Sequence, residues 1–105
     1  MPYRVNISAC AAMDLNNLVQ YISISLRAPE NAYAQLGRIE KQIFRLAELP
    51  MRFRAYPKKL AANAEVRVMP VDNFEVFYTV DSEKEAVTIL RVLYGGRDID
   101  RAFRE

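Results

Sequence analysis

FEVFYTVDSEKEAVTILRVLYGGRDI, residues 74–99, is the stretch whose reading decides the fold. Phe74 to Val80 alternates and is dense in aromatic and β-branched side chains, which suit a pleated surface packed on one face. Asp81 to Glu85 is a charged break, and Ala86 to Tyr94 is a second run of the same kind. The two runs predict a β-hairpin, stopped by Gly95, Gly96, Arg97 and Asp98. Strands this apolar need a cover, so helices elsewhere in the chain have to supply one.

Upstream, Tyr3, Val5 and Ile7 alternate with Arg4 and Asn6, the pattern of a short half-buried strand. Ser8 stands at an N-cap position, and Leu15, Leu18, Val19, Ile22 and Leu26 then follow helical spacing over four to five turns. Pro29 and Glu30 restart a helix, because proline loses nothing at the first turn and glutamate complements the dipole. Ala32, Leu36, Ile39, Ile43 and Leu46 form one stripe up to Leu49-Pro50, where the helix is expected to end. So short a link makes the two helices an antiparallel hairpin with facing stripes, and Gly37 is read as a point of close helix approach.

Residues 50–64, PMRFRAYPKKLAANA, contain no acidic side chain. Arg52, Arg54, Lys58 and Lys59 interleave with Phe53 and Tyr56, which suits either a nucleic-acid strand or a solvated connector whose rings tuck back onto the core. Val66 and Val68 mark a strand that Pro70 shortens, Asp72-Asn73 is a turn, and residues 98–103 have room for a short helix. The expected order is β-α-α-β-β-β with a short C-terminal helix: an α+β domain, its antiparallel sheet packed on the helical hairpin. Where the first strand joins the sheet does not follow from pattern.

The totals narrow the function classes. The 105 residues make one domain, 51% hydrophobic and 27% charged, with the composition of a packed globular protein. A net charge of +2 argues only weakly for a nucleic-acid partner, so the distribution of charge matters more than its sum. The chain has no histidine and Cys10 alone, which excludes an internal disulfide, the usual zinc sites and any histidine base. Cys10 is read as a small packing residue in a reducing cytoplasm. No stretch approaches the roughly 18 apolar residues of a membrane span, and no cofactor is expected.

With these residues in view, the chain resembles the RelE/ParE superfamily, toxins of bacterial type II toxin-antitoxin modules that include the plasmid stabilisation proteins. RVNISACAAMDLNNLVQYI looks like the family opening and PENAYAQLGRIEKQIFRLAELP like its second helix. VRVMPVDNFEVFYTVDSEKEAVTILRVLYGGRDID looks like its C-terminal half and is the specific part. The resemblance implies a growth-inhibiting toxin neutralised by a cognate antitoxin, with promoter DNA reached only through that antitoxin. RelE-like members cut messenger RNA in the ribosome, whereas ParE-like members inhibit DNA gyrase.

Carried over by position, Arg97 matches the family arginine after the last strand, and Arg67 lies near the basic positions before the hairpin. These two are the catalytic candidates if the protein is an mRNA interferase. Glu75 stands where many ribonuclease members carry an arginine, and Phe103 near their C-terminal aromatic acid or base. A carboxylate repels phosphate and a phenyl ring transfers no proton, so a ParE-like gyrase inhibitor is the preferred expectation. Arg52, Arg54, Lys58, Lys59, Arg91 and Tyr94 are the target-binding candidates. Arg91 is otherwise read as a polar residue on the exposed face of its strand.

Overall fold

The computed structural model describes residues 2–57, 65–95 and 98–104. In chain order the elements are β1 (Arg4–Ile7), α1 (Ala9–Gln20), a π-helical turn (Tyr21–Ser25), α2 (Pro29–Arg45), a 3-10 turn (Pro50–Arg52), β2 (Arg67–Val71), β3 (Phe74–Asp81), β4 (Ala86–Tyr94) and α3 (Ile99–Arg104). The expected order of elements and the α+β class are therefore what the chain adopts. Ser8 caps α1 by accepting from the Ala11 N–H at 3.1 Å, and Pro29 opens α2. Two boundaries differ from periodicity. Regular α-geometry in the first helix stops at Gln20, and α2 ends at Arg45, ahead of Leu49, which takes a left-handed φ of 51° before Pro50.

The sheet is mixed rather than purely antiparallel. Its order is β1-β4-β3-β2, with β1 parallel to β4 and the other neighbours antiparallel. β1 reaches only from Ala86 to Ile89 along β4, so the edge of β4 beyond Ile89 needs other partners. The start of α1 supplies them: Ser8 Oγ donates to the Leu90 carbonyl at 3.0 Å, and Asp14 accepts from the Val92 N–H at 2.9 Å. Two side chains thus do what a longer strand would do, because exposed ladder groups left without partners inside a packed domain are costly.

The β3–β4 register steps between Phe77 and Tyr78, whose partners are Arg91 and Ile89, so Leu90 is an extra residue on β4. This bulge reverses the alternation of β4. Val87 and Ile89 pack in the helix-side core before it and Val92 after it, while Leu90 and Leu93 join the opposite face. The helix-side core holds Ile39, Ile43 and Leu46 of the predicted stripe against Val76, Tyr78 and Val87. Gly37 is not a point of close approach: a β-carbon there would meet nothing within 4 Å. Cys10 is exposed rather than packed.

The second face of the sheet is covered as well. Val66, Val68, Phe77, Leu93 and Ala102 form a smaller core, with Tyr56, Ile99 and Phe103 around it. Phe77 is its centre, meeting Tyr56 edge-on at 5.6 Å and Phe103 at 5.3 Å between ring centres. The connector and α3 are therefore anchored on the face that the helical hairpin leaves uncovered.

Turn chemistry follows the sequence closely. Asp81 Oδ1 accepts from the N–H groups of Glu83 and Lys84 at 3.1 and 3.0 Å, closing the charged turn between β3 and β4. Asp72, with φ 54°, turns β2 into β3 and accepts from Arg38 at 2.8 Å and Gln35 at 2.9 Å, tying the hairpin to α2. The hydrogen bond from Arg38, then that from Gln35, holds the Asp72 carboxyl below the usual carboxylate range. A depressed folded pKa stabilises the native state above the unfolded value of about 3.9, and that contribution is lost as pH falls through the folded one. Asp72→Asn is expected to flatten the acid limb of stability, measured as urea midpoints across that window; an unchanged limb would mean that the cluster adds nothing.

Candidate functional site

The connector between α2 and β2 is held from the sheet by a cross-strand pair. Arg67 and Tyr78 are direct partners in the β2–β3 register. The Tyr78 hydroxyl, fully buried, donates to the Pro50 carbonyl at 2.7 Å. Arg67 donates to the carbonyls of Met51 at 3.1 Å and Phe53 at 2.5 Å, and to Glu65 at 2.8 Å. Burial pushes the Tyr78 phenol up from its ordinary pKa, against the opposing pull of the Arg67 and Arg52 charges. The neutral hydroxyl is thereby kept as a donor.

Beyond this clamp the connector runs beside β2. Tyr56 N–H donates to the Val66 carbonyl at 2.7 Å and Val68 N–H to the Arg54 carbonyl at 3.1 Å. Phe53 is extended, at φ −91° and ψ 151°, and packs against the helix-side core. Arg52 and Arg54, on either side of it, are exposed, and the Arg52 guanidinium lies 4.9 Å from the Phe53 ring centre. Both aromatics of the connector do return to the core, Phe53 on one face and Tyr56 on the other. Lys58 and Lys59 lie outside the described residues, as does Arg97.

Arg67 is a wall of a pocket of about 450 Å³ that also holds Glu65, Asp81 and Glu83. Its side chain is only 19% exposed and is committed to the connector and Glu65. Three carboxylates around one engaged guanidinium make a poor seat for a phosphate. Phe103 is part of the second core, its ring against Phe77. Glu75 lies on β3 two residues from Phe77, half-buried. Among the described residues, no group of three histidine, cysteine or acidic side chains could hold a metal ion, and no helix is long and apolar enough to cross a membrane.

Arg91 is not on an exposed face. Its side chain is 14% exposed, and Asp14 is 10% exposed opposite it. Two of its nitrogens donate to Asp14 at 2.8 and 3.0 Å, and a third donates to the Ala102 carbonyl in α3. Among the target-binding candidates it is therefore the one that joins α1, β4 and α3. Tyr94, by contrast, is 58% exposed, its ring edge-on to Phe74 at 5.5 Å. It borders a groove of about 610 Å³ that runs along Leu18, Tyr21, Ile22 and Leu26 to Phe74. The structure thus separates the candidates: Arg52 and Arg54 on the connector, Arg67 beneath it, Arg91 inside, and Tyr94 at the groove.

Sequence reasoning missed Asp14 and the role of Tyr78. Asp14 looks like one more polar residue on the outer face of a helix, and only the short reach of β1 makes it a partner for β4. A signal for Tyr78 was present, since a phenol within an apolar strand requires a partner, but the partner is a carbonyl 28 positions away.

Comparison with known proteins agrees with this architecture. The family model described as the ParE toxin of the type II toxin-antitoxin system, parDE, matches residues 5–99. A search of curated proteins finds no match. Among solved structures, the toxin-antitoxin complex RelBE2 from Mycobacterium tuberculosis contains a similar chain, 24% identical, with a TM-score of 0.66 and coverage of 90% of this chain and 99% of that one. The chromosomal ParDE system of P. aeruginosa contains another at 20% identity, TM-score 0.71, covering 88% and 95%. The archaeal RelE-RelB complex from Pyrococcus horikoshii gives 19% identity and a TM-score of 0.64, covering 92% and 99%. At these identities the solved structures speak to the fold, whereas the family match spans nearly the whole sequence: the chain belongs to the ParE toxin family of type II toxin-antitoxin systems.

Proposed function

We propose that this protein is a growth-inhibiting toxin that acts on DNA gyrase and replication rather than by cutting messenger RNA, and that a cognate antitoxin neutralises it in the cytoplasm. The observation that carries the choice of target is the commitment of Arg67. A ribonuclease needs positive charge placed at the transferring phosphate and a group able to move the proton of the 2'-hydroxyl. Arg67 instead holds backbone carbonyls and Glu65 beside an acidic pocket, and Phe103 offers a ring that transfers no proton. The antitoxin reading rests on the solved complexes of similar chains and on the apolar groove at Tyr94, which suits an extended or helical segment.

Inducing the protein alone, and with its neighbouring short reading frame, tests the proposal. DNA synthesis should fall before translation, purified toxin should block gyrase supercoiling, and co-expression should restore growth. Early ribosome-dependent mRNA cuts that disappear in Arg97→Ala would overturn the choice of target. Unimpaired growth alongside tight antitoxin binding would instead identify a binding module without toxicity.

A further inference from the structure

The connector is fastened more heavily than a link between a helix and a strand requires. Between Pro50 and Tyr56, five hydrogen bonds reach it from Arg67, Tyr78 and the backbone of β2 and its lead-in residue Val66. Phe53, extended after the 3-10 turn, packs against the helix-side core, and Arg52 and Arg54 on either side of it are exposed. Two residues of extended chain place their α-carbons roughly 6.6 Å apart, close to the spacing of successive phosphates along a nucleic-acid strand. Glu65, which follows the connector, is engaged by Arg67, and Glu48, the nearest carboxylate in sequence, stands exposed ahead of Pro50.

We infer that Arg52 and Arg54 hold the phosphate backbone of duplex DNA, and that Arg67 and Tyr78 are positioning residues that preset the connector for it. This rests on the proposal that the target is gyrase, an enzyme that works on duplex DNA, and adds that the toxin touches the DNA itself. Arg67 and Tyr78 touch no ligand; they fix the carbonyls of Pro50, Met51 and Phe53 so that the two guanidinium groups need little ordering on binding. Arg52 and Arg54 are exposed and are not part of the wall of the acidic pocket beside Met51.

The test is binding of the full chain to a short fluorescent DNA duplex, followed by anisotropy over a salt series. Two phosphate contacts predict that log K falls with log salt with a slope of about −2. Arg52→Gln with Arg54→Gln should weaken binding about tenfold or more at low salt and bring the slope near zero. Tyr78→Phe, which removes only the hydroxyl, should weaken binding at low salt while leaving the slope at about −2, because both arginines still meet phosphate, whereas removal of the arginines themselves takes the slope away. A wild-type slope in the double arginine variant, wild-type affinity in Tyr78→Phe, or tighter binding of single-stranded RNA than of duplex would overturn the inference. Gyrase inhibition by the double arginine variant at wild-type strength would remove the DNA contact while leaving the gyrase proposal standing. Duplex binding with no effect on gyrase would do the reverse.

Discussion

Arg91→Ala is expected to destabilise the protein by about 3–5 kcal/mol, because it leaves Asp14 charged in a site from which water is largely excluded. The loss is compounded at the other end of the guanidinium, where the Ala102 carbonyl loses its donor and α3 loses a tether. Against a typical total of about 5–15 kcal/mol, a change of that size should be plain in the urea midpoint. The variant Asp14→Leu with Arg91→Met should recover part of the loss, since paired apolar replacements of buried ions are often neutral. Recovery cannot be complete, because the Val92 N–H and the Ala102 carbonyl would still lack partners. A cost below about 1 kcal/mol for Arg91→Ala would place the pair with ordinary surface salt bridges and sink this account.

Phe77→Ala is the second large effect, at about 3–5 kcal/mol, as for removal of any fully buried ring. Its diagnostic value lies in where the protein loosens. Tyr56 and Phe103 both rest on the Phe77 ring, so the connector and α3 should lose hydrogen-exchange protection first. α1 and α2 pack on the opposite face and should keep theirs until global unfolding. Uniform loss of protection would mean that the two faces form one cooperative core.

The two substitutions also bear on function, because they act on the elements that position the candidate contacts. Loosening the connector by Phe77→Ala frees Arg52 and Arg54 through Tyr56, whereas Arg91→Ala acts on α1 and α3. Activity losses larger than the stability losses explain would therefore separate the connector from the α1–α3 side.

Local rules read much of this protein directly. The alternation of residues 74–94, the stripe from Ala32 to Leu46, the Ser8 cap, Pro29 at a helix start and the two aspartate turns all depend on neighbours within a few residues. The sequence stretch that set the hairpin also carried the family resemblance, and the family match spans it. What needed the tertiary structure is long-range. β1 lies parallel to β4 because the chain returns to it after about eighty residues, and periodicity holds no trace of that choice. The extra residue Leu90 changes which face Val92 presents, a decision taken by the partner strand. Arg91 reads as a solvated charge until Asp14 and Ala102 surround it, and Arg67 reads as a catalytic cation until three carbonyls and Glu65 are seen to claim it or its neighbour Tyr78. A charge in a sequence has only its type; whether it is solvated, paired or available to a ligand is set by groups that folding brings within about 3 Å.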